Sequence, residues 1–557
     1  MGERRRGVAG RSAERRGARP RPEEGRSIGD RVLIQRGFVV DGTGAPGRTA
    51  DILLDGGRVA AIGSIAASSA QVVDASGCVV TPGFIDIHSH GDFTLLAFPS
   101  ARSAVLQGVT TVVIGNCGGG VAPITPERDF RRTAFGYSSE WGIDVDWCTF
   151  PEYLDRFRRI AVNVVALVPH GALRNAVMGL TAREPTVAEL AHMRELLDEA
   201  LQSGAAGLSS GLEYQPGCFA QASEIEALAG AVANRDGFYA THMRNRAERF
   251  AAATAEALSV TRRTGVRLQL SHIAPRPYAP PHQSARAFDL LEEAAADGLP
   301  VWVDTFPETW GPGTLGDLFP TEVMQAPPTE VLRHLRNPSI REQIRLHFES
   351  GENFLVRAGG YDQIFIAASP AKPEVQGRSL ADLATEGCTS VANVCCDLLI
   401  GAGSQFMAVA IRHVYAREEE VQRVLSLDYS SLGSDGVVTS GEDADCPYPW
   451  NASTYGYAAR TLEHYVRDLG LLTLEGAVRK LAALPAEAAG LFDRGYLRPG
   501  AAADVVVFDA DRVNDRTTPD RPARHPTGIR DVFVNGVRVL ADGAATSARP
   551  GRVLGRG

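Results

Sequence analysis

Lysine is nearly missing from this sequence of 557 residues: only Lys372 and Lys480 occur, and arginine supplies the rest of the positive charge. A function that requires a reactive or metal-bridging lysine is therefore limited to two positions. A basic excess is missing as well, because the formal net charge is −9. Binding to nucleic acid needs such an excess to neutralise phosphates, so nucleic acid is not an expected partner.

Long apolar runs and paired cysteines are also lacking. No continuous apolar run reaches the roughly 18 residues that a membrane-spanning helix needs, so we expect no membrane partner. The eight cysteines contain no C-x-x-C pair, and no apolar signal region opens the sequence. This pattern argues against the disulfide framework of a secreted protein and predicts a cytoplasmic one.

The ends of the sequence differ from its centre. Residues 1–27 are rich in arginine and glutamate, with almost no large apolar residue, and predict a disordered basic tail. An arm for nucleic acid or an anionic surface is the alternative for this tail. Short β-rich runs bounded by Gly and Asp fill residues 28–80 and return in residues 488–557. We expect these two parts to form one composite β-sandwich, although two unrelated β pieces would leave the same pattern.

The centre, residues 81–487, alternates strand-like apolar runs with helical stretches such as Glu189–Ser203 and Glu224–Arg235, which is typical of parallel β/α units. Eight such runs predict a (β/α)8 TIM-like barrel. An insertion rich in helix formers, at about residues 308–425, predicts a helical subdomain over the barrel mouth. The eight runs are GFIDIHSH, GVTTVVIGNC, NVVALVPH, AAGLSSGL, GFYATHMR, VRLQLSH, LPVWVDTF and YSSLGSDG.

Residues that can bind a metal stand at the carboxyl ends of these runs, where barrel active sites lie. His88 and His90 are two residues apart on a strand, so both imidazoles point to the same side. The second, fifth, sixth and eighth runs end on further candidates, which are Cys117, His242, His272 and Asp435. Imidazole, thiolate and carboxylate together suit zinc best among the common divalent ions.

Several longer segments carry a resemblance, among them TPGFIDIHSHGD, GVTTVVIGNCG, VPHGALRNAVMG, GAAGLSSGLEYQPG, LQLSH, SDG and RKLAALPAEAAGLFDRGYLRPGAAADVVVFD. With them, most of residues 30–557 resembles the amidohydrolase superfamily and, within it, the N-acyl-D-amino-acid deacylase (D-aminoacylase) family. The resemblance implies a metal-dependent hydrolase of a linear amide in a small molecule, with metal-bound hydroxide as the nucleophile.

The same resemblance implies the roles of the candidate ligands. Cys117, His242 and His272 would hold one tight zinc ion, and His88 and His90 would face a second, weaker site. Asp435 would lie beside the metal-bound water as general base and acid. Many amidohydrolases bridge two metals with a carbamylated lysine from strand four, but residues 205–212 contain no lysine, so Cys117 is the expected substitute.

The substrate side departs from the family pattern. Ala274 stands where the family usually has a lysine, Phe306-Pro307 replaces a Tyr-Pro pair, and Tyr448-Pro449-Trp450 replaces a His-Pro-Arg segment. Two cationic anchors for a carboxylate are therefore missing.

The remaining candidates for substrate contacts are Arg244, Arg174, Tyr214 and Trp450. A salt bridge at the barrel rim is the alternative role of the two arginines, and a substrate without a free carboxylate is the alternative for the pocket. Two rival functions stay open: a hydrolase of a cyclic amide or specialised metabolite with a rebuilt pocket, and a non-catalytic scaffold. The sequence does not indicate the acyl group, the stereochemistry or the oligomeric state.

Overall fold

The computed structural model describes residues 31–555, apart from 67–69, 136, 138–140, 325, 327, 444–445 and 447–449. The expected basic tail, residues 1–27, lies outside the described residues, as do Tyr448 and Pro449. The strands are β1 (Arg31–Val39), β2 (Arg48–Asp55), β3 (Arg58–Gly63), β4 (Gln71–Asp74), β5 (Val79–Pro82), β6 (Phe84–Asp86), β7 (Val109–Ile114), β8 (Asn163–Pro169), β9 (Gly207–Gly211), β10 (Phe238–His242), β11 (Arg267–Leu270), β12 (Val301–Thr305), β13 (Trp310–Thr314), β14 (Phe365–Ala368), β15 (Ala410–Val414), β16 (Ser430–Leu432), β17 (Val505–Phe508), β18 (Ile529–Val534), β19 (Val537–Ala541) and β20 (Ala544–Ala545).

The α-helices are α1 (Thr94–Ala97), α2 (Arg102–Val105), α3 (Phe150–Leu154), α4 (His170–Met178), α5 (Val187–Gln202), α6 (Ala222–Ala233), α7 (Phe250–Thr264), α8 (Pro281–Ala296), α9 (Thr321–Met324), α10 (Pro328–Arg336), α11 (Pro338–Ser350), α12 (Phe354–Gly359), α13 (Leu380–Glu386), α14 (Val391–Ala402), α15 (Glu418–Leu425), α16 (Ser453–Arg460), α17 (Leu474–Val478) and α18 (Leu484–Ala489). Short 3-10 segments are Asn116–Gly118, Phe130–Arg132, Gly217–Phe219, Leu315–Leu318, Tyr361–Gln363, Pro373–Val375 and Gly403–Ala408, and π-helical segments are Thr461–Asp468 and Arg479–Ala483.

The eight central runs form one parallel sheet in the order β6-β7-β8-β9-β10-β11-β12-β16. Backbone hydrogen bonds from Asp435 N to His88 O (2.9 Å) and from His90 N to Gly436 O (2.7 Å) join the segments that follow β16 and β6. These bonds close the sheet into a barrel at its carboxyl end. The predicted (β/α)8 fold is confirmed, strand by strand.

The barrel strands are apolar because both of their faces are covered. All seven residues of β8, for example, are buried, as expected for a parallel strand with side chains of the barrel interior on one face and helices on the other. The predicted helices correspond to α5 and α6. Helix α5 begins after Thr186, which forms a capping box with Glu189 and so satisfies two backbone N–H groups that would otherwise lack partners.

Both ends of the chain contribute to one β domain, as expected. Nine strands, β1–β5 and β17–β20, are hydrogen-bonded into a single sheet. Side chains of β17 alternate between two cores: Val505 and Val507 pack inside this domain, whereas Val506 and Phe508 pack into the core of the barrel. A strand period of two thus attaches the domain to the barrel.

The insertion lies between β12 and β16 and has a hydrophobic core of its own. It contains helices, as expected, and also a three-stranded antiparallel sheet in the order β13-β15-β14. Near the expected end of the insertion, at about residue 425, Val421, Val424 and Leu425 of α15 pack in the core that the barrel shares.

One segment of the described chain, Val391–Ala408, is long and apolar enough by length and composition to cross a membrane. Asp397 interrupts its apolar sequence, and α14 gives way to a 3-10 segment at Gly403. Its side chains Cys395, Leu399 and Phe406 are buried in the core of the insertion. In the structure this segment therefore packs inside that domain.

Candidate functional site

A thiol and two imidazoles meet at the carboxyl ends of the barrel strands. His88 follows β6, Cys117 lies in the 3-10 turn after β7, and His272 follows β11. His88 Nε2 lies 3.2 Å and His272 Nε2 lies 3.4 Å from Cys117 Sγ. All three side chains are buried, and their ligand atoms are close enough together to hold one metal ion.

A second group of possible ligands overlaps the first. His90 Nε2 lies 3.0 Å and His88 Nε2 lies 3.5 Å from Asp435 Oδ1. His88 therefore belongs to both groups, and the two positions that could hold a metal adjoin each other. The first group differs from the tight site expected from the sequence, because it contains His88 in the place of His242.

His242 belongs to neither group, although its ring forms a hydrogen bond with the Cys117 side chain. Its ring centroid is 4.5 Å from that of His272, but its Nε2 atom lies 2.8 Å from Glu213 Oε2. Sequence reasoning missed Glu213, although this carboxylate follows the end of β9 by two residues and obeys the strand-end rule that identified the other candidates.

Three of the site residues have backbone conformations that side chains rarely adopt. The φ angles are 54° at Cys117, 35° at His272 and 46° at Asp435. Left-handed conformations at non-glycine residues cost on the order of 1–3 kcal/mol each and cluster at functional sites. Three of them around one group of ligands indicate that the positions of these side chains matter more than the local stability of the backbone.

Two buried carboxylates, Asp304 and Asp86, position side chains of the site. Asp304, in β12, contacts His88 Nδ1 at 3.2 Å and accepts a hydrogen bond from the backbone N–H of His272 at 2.7 Å. A donating Nδ1–H fixes the tautomer of His88 and leaves its Nε2 lone pair free for a metal. Asp86 accepts hydrogen bonds from the N–H and hydroxyl of Ser434, which position the adjacent Asp435.

The electrostatics of the group favour a cation. Burial opposes ionisation of Cys117, but the adjacent His88 and His272 hold the pKa of its thiol well below the ordinary range. Burial also opposes protonation of His90, yet its hydrogen bonds to Asp435 and Cys117 raise its pKa to about 9. The pKa of Asp435 is lowered, because His90 and His88 outweigh the effect of burial. Protons on imidazoles thus balance a thiolate and a carboxylate, and a divalent cation can replace those protons.

A cavity of about 380 Å³ opens above these residues. Two predicted substrate contacts line it: Tyr214, whose hydroxyl donates to Cys117 O at 2.7 Å, and Trp450, whose Nε1–H donates to Asp435 O at 3.3 Å. Much of the remaining wall comes from apolar side chains, which include Phe135, Tyr137, Phe306, Phe319, Met324, Phe354, Leu355, Phe406 and Met407.

The structure places neither predicted arginine in this cavity. Arg174 is fully buried, and its Nη1 donates to both carboxylate oxygens of Glu224 at 2.8 and 2.6 Å. Arg244 is paired with Glu256 at 2.9 and 3.1 Å. Their assignment as substrate contacts is therefore corrected, since each guanidinium neutralises a carboxylate outside the cavity lining.

Two other arginines line the cavity and were missed by sequence reasoning, Arg246 and Arg276. Each follows a strand-end histidine by four residues, His242 in one case and His272 in the other. That common spacing was the available signal.

The donor set fits zinc, and it does so without a lysine. Sulfur, nitrogen and oxygen donors together suit zinc, whereas a thiolate disfavours Mg²⁺ and Ca²⁺. Strand β9 reads GLSSG and offers no lysine to bridge two metals. Lys480 lies at the opposite end of the barrel, where its Nζ donates to Ser430 O at the start of β16.

Fold and site together define a metal-dependent hydrolase of the β/α-barrel type: a closed parallel barrel carries a thiol, imidazoles and a carboxylate at one end of its strands, under a ligand-sized cavity. Residues 71–540 match the profile of the amidohydrolase family. The chain belongs to this family, as its sequence resemblance implied.

Characterised relatives match nearly the whole chain. The chain is 37% identical to an N-acyl-D-glutamate deacylase from Alcaligenes xylosoxydans xylosoxydans. The alignment spans 527 residues and covers 94% of this chain and 96% of the relative. A solved structure of an N-acyl-D-glutamate deacylase from Bordetella bronchiseptica contains zinc and a phosphonate mimic of the tetrahedral intermediate. Its sequence is 34% identical to this chain and its TM-score is 0.76. The match covers 94% of this chain and 99% of the Bordetella chain. A solved structure of a D-aminoacylase, described for its binuclear metal centre, is 33% identical with a TM-score of 0.79. The match covers 94% of this chain and 99% of the D-aminoacylase chain.

Proposed function

We propose that this protein is a zinc-dependent amidohydrolase that cleaves a linear amide bond, of the N-acyl-D-amino-acid deacylase type. The observation that carries the proposal is the convergence of Cys117, three strand-end histidines and Asp435 on two adjoining positions under one cavity. The relatives support it, because they are deacylases and one of them was solved with zinc. All eight cysteines are free thiols, which supports a cytoplasmic location.

We assign the ligands as the sequence resemblance implied. Cys117, His242 and His272 are assigned to a tightly held zinc ion, and His88 and His90 to a second, weaker one beside Asp435. Zinc, when bound, polarises a carbonyl group and activates a water molecule. The contacts of His88 with both Cys117 and Asp435 support a pair of adjoining positions.

Asp435 is assigned the proton transfers. Its lowered pKa keeps the carboxylate ionised at neutral pH, ready to accept a proton from the attacking water. His90 Nε2 contacts Oδ1 of Asp435, and the Nε1–H of Trp450 donates to the backbone carbonyl of Asp435. Asp435 then returns the proton to the nitrogen of the leaving amine, because the amine departs far more readily when it is protonated. Tyr214 and Trp450 are assigned as walls that position the substrate.

Elemental analysis and an assay of amine release from an N-acetyl-D-amino acid test this proposal. We expect bound zinc in the purified protein and hydrolysis of the substrate. Asp435→Asn should retain the tight zinc ion and lose activity by about 10²–10⁴-fold, the usual range for removal of a general base. Unchanged activity in Asp435→Asn would contradict the assigned role. A well-folded, metal-free and inactive wild-type protein would favour the non-catalytic scaffold.

A further inference from the structure

Glu213 stands between a candidate zinc ligand and an arginine at the barrel mouth. One of its oxygens, Oε2, lies 2.8 Å from His242 Nε2 and accepts a hydrogen bond from Arg276 Nη2 at 2.5 Å. The side chains of Glu213 and His242 are each 11% exposed, and that of Arg276 is 2% exposed. Water therefore competes little for these contacts, and charge-assisted hydrogen bonds are strong in such surroundings.

The loop after β9 fixes Glu213 at this place. The backbone N–H of Leu212 donates to His242 O at 2.9 Å, so the residue before Glu213 is bonded to the candidate ligand residue itself. Tyr214, the residue after Glu213, donates its hydroxyl to Cys117 O at 2.7 Å. Hydrogen bonds from both neighbours of Glu213 thus hold the loop against the two segments that carry His242 and Cys117.

The insertion supports this arrangement through Phe354, the first residue of α12. The guanidinium carbon of Arg276 lies 4.2 Å from the centroid of the Phe354 ring. Stacking on an aromatic ring fixes the plane of a guanidinium group and so the direction of its N–H groups. A chain of contacts therefore runs from the insertion through Arg276 and Glu213 to His242.

The contacts of Glu213 determine which nitrogen of His242 can bind a metal. The guanidinium that meets Glu213 stays protonated, and its hydrogen bond stabilises the ionised carboxylate. Because an ionised carboxylate only accepts hydrogen bonds, Nε2 of His242 carries the proton. The lone pair of the neutral ring is then on Nδ1, which is the atom left for zinc. His88 and His272 differ, since both face the Cys117 sulfur through Nε2.

We propose that Glu213, held by Arg276, is a positioning residue for zinc: it fixes the Nε2–H tautomer of His242 and orients the ring so that Nδ1 binds the ion together with Cys117. The inference deepens the proposed function and rests on it, because that proposal assigns His242 to the tight zinc ion. A carboxylate partner also makes the imidazole a stronger donor toward a metal. Loss of the carboxylate should therefore weaken zinc binding while every ligand is retained.

Glu213→Gln tests the inference in the full-length protein, because the amide keeps the shape of the side chain and removes its charge. Competition with a chromophoric chelator at one pH gives the zinc affinity. We expect the variant to bind zinc about 10- to 100-fold more weakly than the wild type, the usual effect of losing such a partner. The visible absorption bands of the cobalt-loaded variant should shift, since their energies follow the donor strength of the imidazole. X-ray absorption at the zinc edge should count the same number of ligands in both proteins.

Glu224→Gln is the matched control. Beside the end of β8, the carboxylate of Glu224 contacts His170 Nε2 at 2.8 Å and Arg174 Nη1 at 2.6 Å, so it also joins an imidazole to a guanidinium. His170 belongs to neither group of possible metal ligands found among the described residues. Zinc affinity and the cobalt spectrum should therefore stay as in the wild type, even if the melting temperature of Glu224→Gln falls.

Wild-type zinc affinity in Glu213→Gln would overturn the inference, as would an equal loss of affinity in Glu224→Gln. Loss of one oxygen ligand from the zinc-edge spectrum of Glu213→Gln would overturn it as well, because Glu213 would then bind the ion directly. If Glu213→Gln does not fold, Glu213→Asp, whose carboxylate is shorter by one methylene group, takes its place with the same expected loss of affinity. Failure of the proposed function would show differently, as a wild-type protein that binds no zinc or releases no amine.

Discussion

At the scale of the residue, Asp304 determines how well His88 can serve a metal. Its carboxylate contacts His88 Nδ1 and also accepts the backbone N–H of His272. We expect Asp304→Asn to weaken zinc binding by about 10- to 100-fold, the usual effect of losing such a supporting partner. Competition with a chromophoric chelator measures this change. Asp129→Asn, which removes a carboxylate paired with Arg131 at the cavity rim, should leave zinc affinity intact. Equal affinities for all three proteins would contradict the role of Asp304.

Glu308 makes the stability of the folded protein depend on pH. Burial raises the pKa of its carboxyl group from 4.5 to about 8, although Arg460 opposes this rise. Between these two values the folded protein retains a proton that the unfolded chain has released. The free energy of unfolding therefore falls as the pH rises through this window, by up to about 1.4 kcal/mol per pH unit, and levels off above it.

Glu308→Gln keeps the shape of the side chain and removes its titration. The melting temperature of the variant should fall less steeply between pH 5 and pH 8 than that of the wild type, with the largest difference at the alkaline end, by the linkage argument above. Thermal unfolding at a series of pH values measures both slopes. Parallel curves for the two proteins would show that Glu308 is already ionised in the folded state.

At the scale of the element, barrel strands such as β7 and β8 could be predicted because they are buried on both faces and read as apolar runs. Strand β13 could not. It reads WGPGT, with two glycines and a proline that disfavour a strand, and only its pairing with β15 inside the insertion makes it one. At β13, tertiary contacts outweigh the low intrinsic propensity of its residues for a strand.

The site shows the same division. His88, Cys117 and Asp435 could be predicted because strand ends converge in any barrel. Arg174 and Arg244 were misassigned because spacing along a strand does not reveal which carboxylate on a neighbouring element an arginine will meet. Glu213, Arg246 and Arg276 lie in the loops after their strands. Their spacing from the strand ends marks them as candidates, but which groups their side chains contact depends on the loop conformations.

Strand β9 also yields a prediction about stability. A Cβ atom at Gly207 would overlap the carbonyl oxygen of Phe238 on the paired strand β10. Gly207→Ala must therefore separate two central strands of the barrel, and we expect a loss of at least about 3 kcal/mol, in the range of severe backbone or packing defects. Gly230→Ala is the matched control in helix α6, where the nearest atom to a new Cβ is 4.0 Å away. It should stabilise the protein by about 0.5–1 kcal/mol through helix propensity. Urea unfolding measures the change in the free energy of unfolding for both variants. An unchanged stability of Gly207→Ala would contradict the close approach of Gly207 to the backbone of Phe238.

At the scale of the whole molecule, the cavity is shared between barrel and insertion, and this division predicts which side chain the substrate carries. The barrel supplies the metal-binding groups and the two arginines, whereas the insertion supplies apolar residues such as Phe319, Phe354, Phe406 and Met407. A side-chain carboxylate, as in N-acetyl-D-glutamate, would lie against these apolar rings, which is unfavourable.

We therefore expect N-acetyl-D-leucine to be hydrolysed with a kcat/KM at least about tenfold above that for N-acetyl-D-glutamate, a difference of about 1.4 kcal/mol in transition-state binding. Parallel initial-rate measurements on the zinc-loaded wild type give the ratio. Phe406→Ala should reduce it, because the apolar wall becomes smaller while the arginines are retained. A preference for the glutamate derivative, as the name of the relative from Alcaligenes xylosoxydans xylosoxydans indicates for that enzyme, would contradict this role of the apolar wall.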